Sequence, residues 1–587
     1  MITFVDMKKE RIWISLLVVL VLPLFGAGAN KLSRGDFNDR CFVFSEDSVT
    51  DNVVENDSTL NDKYQAYLNA LQVYTSVLQN IQMYYVDNLP VDTLTDYTIN
   101  CMLGNLDPYT TYYTNDDKEE IDFMRTGEYG GVGATLMARP DSSTMIVSVI
   151  KGMPADRAGL KPGDIIQSID GKDCLSLPLP KVSESLRGKP DTDIVVAALR
   201  NGKKKVFRFK RESVVVPPVS YYGIVPSTDI GYISINTFND KTFEQTKNAL
   251  VSLEKTKHLK SLILDLRSNG GGLVSEAVKL ANLFLPKGKS IAQLQGRDNI
   301  VLQTYETTDS PLFPKLPIVI LINENSASSS EILAGALQDY DRAVIVGRKS
   351  FGKGVVQSVL QLPNGGVLKF TTSRYHTPSG RCVQKDDLGG RLNSSTKDSL
   401  SVFYTANHRL VTGGGGISPD IEVKVDTVLP IVYFLPSNIG VVDYVTEYVR
   451  KHTNVPNPFT FKLSNADYDE LIKKLEEVDY SYNRMNINAL DVIEKNAKTD
   501  GTYDQAKGAF EALRKALKPN LRNELMKNRN EVSKLVEQMI LRRYLYDEGA
   551  QAHSLKTDTD VQAAINILGD RTKYQSILSK PQQTFDK

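Results

Sequence analysis

The chain has 587 residues, too many for a single hydrophobic core, so several domains are expected. Its 41% hydrophobic and 24% charged residues are ordinary for a globular protein. Lys plus Arg and Asp plus Glu both number 70, and no basic block stands out, which argues against a nucleic-acid partner.

The amino end reads as an export signal. A basic segment at 8–11 precedes an apolar run at 12–25, and Ala27-Gly-Ala29 supplies a cleavage pattern after Ala29. Met7 would place the basic segment at the terminus. Residues 1–29 are therefore expected to be a signal peptide, with an uncleaved inner-membrane anchor as the alternative, since 12–29 is only just long enough to span a bilayer. Either way the protein is expected outside the cytoplasm, in a bacterial periplasm. Cys41, Cys101, Cys174 and Cys382 are far apart, which points to neither a zinc site nor a disulfide framework. No metal or other cofactor is expected.

Residues 30–118 are expected to hold a polar linker and then helices. Tyr64, Tyr67, Leu68, Leu71, Tyr74, Val77, Leu78 and Ile81 recur at three and four residues, and a shorter pattern covers 94–103. Tyrosines at this spacing are expected to be core. An Asp107-Pro-Tyr109 turn closes the segment. Residues 119–213 follow with a glycine-rich opening at 130–136, a strand near 145–150, and the run Ala158-Gly-Leu-Lys-Pro-Gly-Asp164. This block resembles a PDZ domain. The resemblance implies a groove that takes an extended peptide C-terminus by strand addition, its carboxylate held by the amides of Val132, Gly133 and Ala134. A PDZ that packs on its neighbour as a lid is the other reading.

Residues 214–429 alternate strands with helices, which indicates a layered α/β domain. At 316–322 an apolar, largely β-branched run leads into Asn323-Glu-Asn-Ser-Ala-Ser-Ser-Ser-Glu331 and then a helical pattern. A serine in such a turn sits at a helix N-terminus, where free N–H groups and the helix dipole favour a developing oxyanion. Taken alone, the serines could equally be a helix cap. A serine nucleophile needs a base, and none of His258, His376, His408, His452 or His553 lies in a block that suggests a triad. Lys353, between two glycines, is the other candidate, because burial lowers a lysine pKa. Gln357 is placed to orient an amine without adding charge.

These blocks resemble the carboxyl-terminal processing (tail-specific) proteases, peptidase family S41, which use a Ser–Lys dyad. The third residue of that family's Ser-Ala-Ser-(Ala/Ser)-Ser-Glu block maps onto Ser328. Its lysine, 25 residues on, maps onto Lys353, and its glutamine onto Gln357. The resemblance implies a crotonase/ClpP-like core and an oxyanion hole made by the amides of Ser329 and Gly271, the latter in the Asp265-Leu-Arg-Ser-Asn-Gly-Gly-Gly272 block. Asp265 and Arg267 are read as a structural pair. The blocks at 375–381 and 415–420 and the Asp-Pro-Tyr turn also match family blocks.

Residues 430–587 are Lys/Glu-rich and helical, with amphipathic spacing at 471–477 and 532–546. Packing on the core, self-association as a homo-oligomer, or recruitment of an adaptor all remain open for them. The function implied is an ATP-independent serine endopeptidase acting on loose, apolar C-terminal tails of unfolded or exported proteins. A catalytically silent PDZ tail-binding adaptor is the alternative. An acyl-CoA hydrolase on the same fold is disfavoured by the PDZ block and by export.

Overall fold

The computed structural model describes residues 57–117, 126–139, 141–256, 258–385, 401–424, 431–432, 435–477, 484–517 and 521–579. The expected signal segment and linker lie outside these residues. Among the described residues no helix is long and apolar enough to cross a membrane.

Two helices, α1 (Asp57–Tyr84) and α2 (Val91–Leu103), form where the apolar periodicity places them. Their packing departs from expectation. Tyr64, Tyr67 and Tyr74 are 59%, 59% and 44% exposed, so the tyrosine stripe is a surface rather than a core. A 3.6-residue period reports that one face is apolar, not that this chain covers it. The chain then turns on Asp107, whose carboxylate accepts the N–H groups of Tyr109 and Thr110, both at 2.8 Å. Strand β1 (Thr111–Tyr113) follows.

The second unit is an antiparallel sheet of β2 (Ala134–Ala138), β3 (Thr144–Val149), β4 (Ile165–Ile169), β5 (Asp193–Arg200) and β6 (Lys203–Lys210), hydrogen-bonded in that order. Helix α3 (Leu179–Leu186) closes its core by burying Val182 and Leu186 against Val132, Ile146, Ile166 and Val196.

The third unit runs β7 (Val219–Ile224), β8 (Ile230–Ile235), α4 (Thr242–Lys255), β9 (Ser261–Asp265), α5 (Val274–Asn282), β10 (Ser290–Gln295), β11 (Val301–Glu306), β12 (Ile318–Ile322), α6 (Ser329–Asp339), β13 (Val344–Gly347), β14 (Val355–Gln361), β15 (Val367–His376) and β16 (Ile421–Glu422). One sheet has the order β7-β8-β9-β12-β13-β16 and is parallel from β8 onward. A second sheet has the order β1-β15-β10-β11, with β14 also paired to β15. Strand β1 therefore joins the amino-terminal segment to the third unit.

Parallel strands are buried on both faces, so both need cover. Ile233, Ile235, Leu262, Leu264, Ile320 and Ile345 face α4, α5 and α6. The alternate residues Tyr232, Ile263, Val319, Leu321, Val344 and Val346 face Val561, Ala564, Ile567 and Tyr574. Those covering residues belong to α12 (Thr559–Leu568) and α13 (Arg571–Ser579), at the far end of the chain. The last helices thus complete the α/β core rather than forming part of a separate helical unit. Arg267 ties the two together, bonding Asp265 at 2.6 Å, Asp558 at 2.8 Å and Asp560 at 2.9 Å. The Asp265–Arg267 pair is structural, as expected, and larger than expected.

Between these lie α7 (Ile439–Lys451), α8 (Asn465–Glu476), α9 (Arg484–Thr499), α10 (Tyr503–Leu517) and α11 (Arg529–Ser554). Tyr444, Leu471, Leu475, Val532 and Val536 make the shared core of α7, α8 and α11. Helix α11 bends at Tyr546 (φ 59°, ψ −158°), and there the Tyr546 hydroxyl donates to Asp156 at 2.9 Å. Arg139 pairs with Asp443 of α7 through two bonds of 2.8 and 3.2 Å. The helical region therefore bridges the second unit and the α/β core.

Candidate active site

The turn from β12 to α6 carries four serines with different surroundings. Ser326, Ser329 and Ser330 are fully buried, and each hydroxyl is spent on a backbone carbonyl: Leu266 at 2.8 Å, Gly272 at 2.6 Å and Asn269 at 2.9 Å. Ser328 is half-buried and occupies the N-cap of α6 with φ 55° and ψ −116°. A non-glycine residue there is strained by about 1–3 kcal/mol, and such strain persists only where the surroundings over-determine it. The three anchored serines and the bond from Ala327 N–H to Asn269 O, at 3.0 Å, supply that constraint. The result is an elbow that presents one serine at a helix N-terminus.

Three residues on, Glu331 is buried and takes four donors. Its Oε2 accepts the N–H groups of Ser328 (2.8 Å) and Lys353 (2.9 Å). Its Oε1 accepts Gly352 N–H (2.8 Å) and the Ser350 hydroxyl (2.5 Å). One carboxylate oxygen thereby fixes the backbones of both expected dyad residues, although they are 25 positions apart. Burial drives the Glu331 carboxyl up to about 7, against the pull of these hydrogen bonds.

Lys353 lies at the entry to β14. Burial, reinforced by the Lys369 ammonium, brings it down to about 8, against the opposing charges of Glu331 and Asp107. Its amine stands 4.5 Å from the centroid of the Tyr109 ring. Both flanking glycines are needed for close approach. A Cβ on Gly354 would come within 2.6 Å of Gln384 N. Gly352 has φ +89°, and a Cβ there would come within 3.0 Å of the Gly415–Gly416 peptide. Gly352→Ala is expected to cost about 1–3 kcal/mol of stability and most of the activity, read by urea melts and turnover.

Gln357 sits at a register shift in β14, and its Nε2 donates to Thr371 Oγ1 at 3.2 Å. The Thr371 N–H in turn reaches Thr110 Oγ1 at 3.2 Å. Ser329 N–H is one of the first-turn amides that a helix leaves unpaired, as an oxyanion hole requires. Gly271 does lie beside it: its φ is +102°, and a Cβ would fall 2.8 Å from Ser329 N. The Gly271 N–H, however, is donated to Asn269 Oδ1 at 2.8 Å, so the expected second oxyanion donor is occupied in this conformation. An Asx turn satisfies the buried amide while no oxyanion is present. Sequence reasoning missed Glu331, which it read only as part of a motif. It also missed Tyr109, which it read only as the close of a helical segment. The Asp-Pro-Tyr turn was the available signal.

Val132, Gly133 and Ala134 line a cavity of ≈ 90 Å³ between β2 and α3, together with Leu136, Leu186 and Arg187. The Val132 and Gly133 carbonyls are turned to Ala155 N–H (2.8 Å) and Ile150 N–H (2.9 Å). Arg187, 5.3 Å from the Tyr129 ring centroid, puts a cation at the same cavity.

The α/β core is similar to an S41 peptidase, and the unit before it to a PDZ domain. Residues 229–390 match "Peptidase family S41", 145–200 match "PDZ domain", and 431–568 match "Probable PDZ-protease, C-terminal helical domain". The chain is 37% identical over 329 residues to a probable CtpA-like serine protease of Staphylococcus aureus, covering 56% of this chain and 64% of that one. The corresponding Staphylococcus haemolyticus protein is 35% identical, with 53% and 62% covered. The aligned region therefore spans under two thirds of these relatives. Among solved structures, a photosystem II D1 C-terminal processing protease superimposes at a TM-score of 0.34, with 24% identity, 64% of this chain and 96% of that chain covered.

Proposed function

We propose that this chain is an ATP-independent serine endopeptidase that takes the C-terminal tail of an unfolded or exported protein in its PDZ groove and cleaves it with Ser328 and Lys353. The observation that carries the reading is the single Glu331 oxygen holding both residues' amides, with the lysine buried beside them. Neutral Lys353 removes the Ser328 proton, and Oγ attacks the peptide carbonyl. The Ser329 N–H receives the oxyanion, joined by Gly271 N–H once it leaves Asn269. The Lys353 ammonium then protonates the leaving amine, and water releases the acyl group. Amine and amides suffice for these steps, so no metal or nucleotide is invoked. Gln357, through Thr371, is assigned to orient the site. Export to the periplasm by the amino-terminal signal, and self-association or an adaptor acting through the terminal helices, belong to the same reading.

The base must be uncharged to act. A group near 8 is about one-tenth neutral at pH 7, so kcat/KM is expected to rise with pH along a limb centred near 8. A flat profile from pH 6 to 9 would count against Lys353. The decisive experiment compares the chain with Ser328→Ala on an unfolded polypeptide ending in small apolar residues and on one ending in charged residues. Cleavage by the unaltered protein alone, faster for the apolar tail, is expected. Persistent cleavage by Ser328→Ala would end the proposal. Tail binding without turnover by the folded protein would favour the adaptor.

A further inference from the structure

The amino-terminal segment reaches into the site that the α/β core builds. Its turn at Asp107 places the Tyr109 ring over the Lys353 amine, at 4.5 Å from the centroid. Asp107 itself is buried and fully engaged, accepting Tyr109 N–H, Thr110 N–H and the Thr110 hydroxyl at 2.8, 2.8 and 2.9 Å. Thr110 Oγ1 accepts Thr371 N–H, and Thr371 Oγ1 accepts the Gln357 amide, both at 3.2 Å. Strand β1 then pairs Thr111, Tyr112 and Tyr113 with Lys369, Leu368 and Val367 of β15. Asn364 clamps the strand by donating to the Tyr112 hydroxyl at 2.7 Å. Nothing in this arrangement is loose: a buried Asx turn and a three-residue ladder fix where the ring sits.

We infer that Tyr109 is a positioning residue for Lys353, its ring excluding water from the amine and setting the amine's direction, so that the active site is complete only while the amino-terminal segment is docked on β15. The inference rests on the Ser328–Lys353 reading above. A ring face acts on a lysine in two opposed ways. It removes water, which disfavours the ammonium, and its negative face attracts the ammonium. The other charged groups around the amine are Glu331 from α6, Lys369 from β15 and Asp107 from the same turn as Tyr109. None of them replaces an apolar cover.

The test reads Lys353 ionisation through Ser328. The full chain is labelled with a fluorophosphonate, whose phosphorus bonds Ser328 Oγ as fluoride leaves and Lys353 takes the hydroxyl proton, and the labelling rate is followed from pH 6 to 10.5 beside kcat/KM. Tyr109→Phe keeps the ring and is expected to keep the limb within about 0.3 pH units of the parent. Tyr109→Ala admits water, and its limb is expected to move up by about one unit, with labelling at pH 7 down about tenfold and recovering at pH 10. Tyr109→Leu keeps an apolar cover without a π face, and its limb is expected to move down. Leucine therefore decides the matter if the alanine variant does not melt cooperatively. Tyr112→Phe, which removes the Asn364 bond that clamps the strand but leaves the Tyr109 ring in place, controls for partial undocking. A merely structural tyrosine would lower the rate equally at every pH. Unmoved limbs in both Tyr109→Ala and Tyr109→Leu, with Ser328→Ala and Lys353→Ala inert, would overturn the inference and leave the dyad standing. Activity surviving in Lys353→Ala would remove the dyad itself.

Discussion

Lys353→Met is expected to lower kcat/KM by about 10³-fold and, in the same protein, to raise its stability. The loss follows from removing the base assigned to Ser328. The gain follows from the cost of burying an amine. The ordinary lysine value of 10.5 falls to about 8 in the fold, chiefly by desolvation. Between those values the unfolded chain holds a proton that the folded one does not, so stability rises with pH across that window. Below pH 8 the whole cost remains, of order 3 kcal/mol. Methionine has nearly the same length and no charge, so it removes the cost at pH 7 and gains nothing above pH 10.5. Thermal melts of both proteins at pH 7 and pH 10.5, with turnover at pH 8, test this directly. A variant that cleaves normally would sink the mechanism. One that is inert yet no more stable at pH 7 would show that the amine is not desolvated.

A chain ending at Lys556 is expected to be insoluble, or to unfold without a cooperative transition. It would lack α12 and α13, the cover of one whole sheet face. Tyr232, Ile263, Val319, Leu321, Val344 and Val346 would meet water, and Arg267 would lose Asp558 and Asp560. At about 25 cal/mol per Å², six exposed core side chains outweigh the 5–15 kcal/mol that a folded domain has in hand. Milder changes grade the same effect. Tyr574 is buried, and its hydroxyl bonds both Ile318 N–H at 3.0 Å and Ile318 O at 3.2 Å. Tyr574→Ala is expected to cost about 3–5 kcal/mol and Tyr574→Phe about 1 kcal/mol, by urea unfolding. A truncated chain that melts like the parent would show that the last helices are dispensable.

The candidate site was legible where it depends on local backbone. Ser328 was marked by a hydroxyl-rich turn between an apolar strand and a helix. Lys353 was marked by glycines that the fold requires at those two positions. Each is a constraint on a few consecutive residues, and such constraints are written in order along the chain. Other features were not legible, for one common reason. The tyrosine periodicity of α1 located the helix and said nothing about what covers it. The Gly271 amide was matched by motif, but its partner is a side chain two residues back, a choice made by packing. The change in composition at 430 marks where the helical region begins, and left open that its helices at 559–579 pack on the α/β core.

By itself, then, the sequence determined the elements, the PDZ and α/β units, and the three residues assigned to the dyad and its support. Periodicity, turn chemistry and motif spacing are local quantities. The tertiary structure alone decided that Glu331 holds Ser328 and Lys353 with one oxygen, that Tyr109 covers the amine, and that the last helices close the sheet. Apart from the Ser328–Glu331 bond, those contacts join residues from 22 to more than 240 positions apart. No pattern along the chain encodes them, because they arise only when buried surfaces and polar groups must be satisfied together.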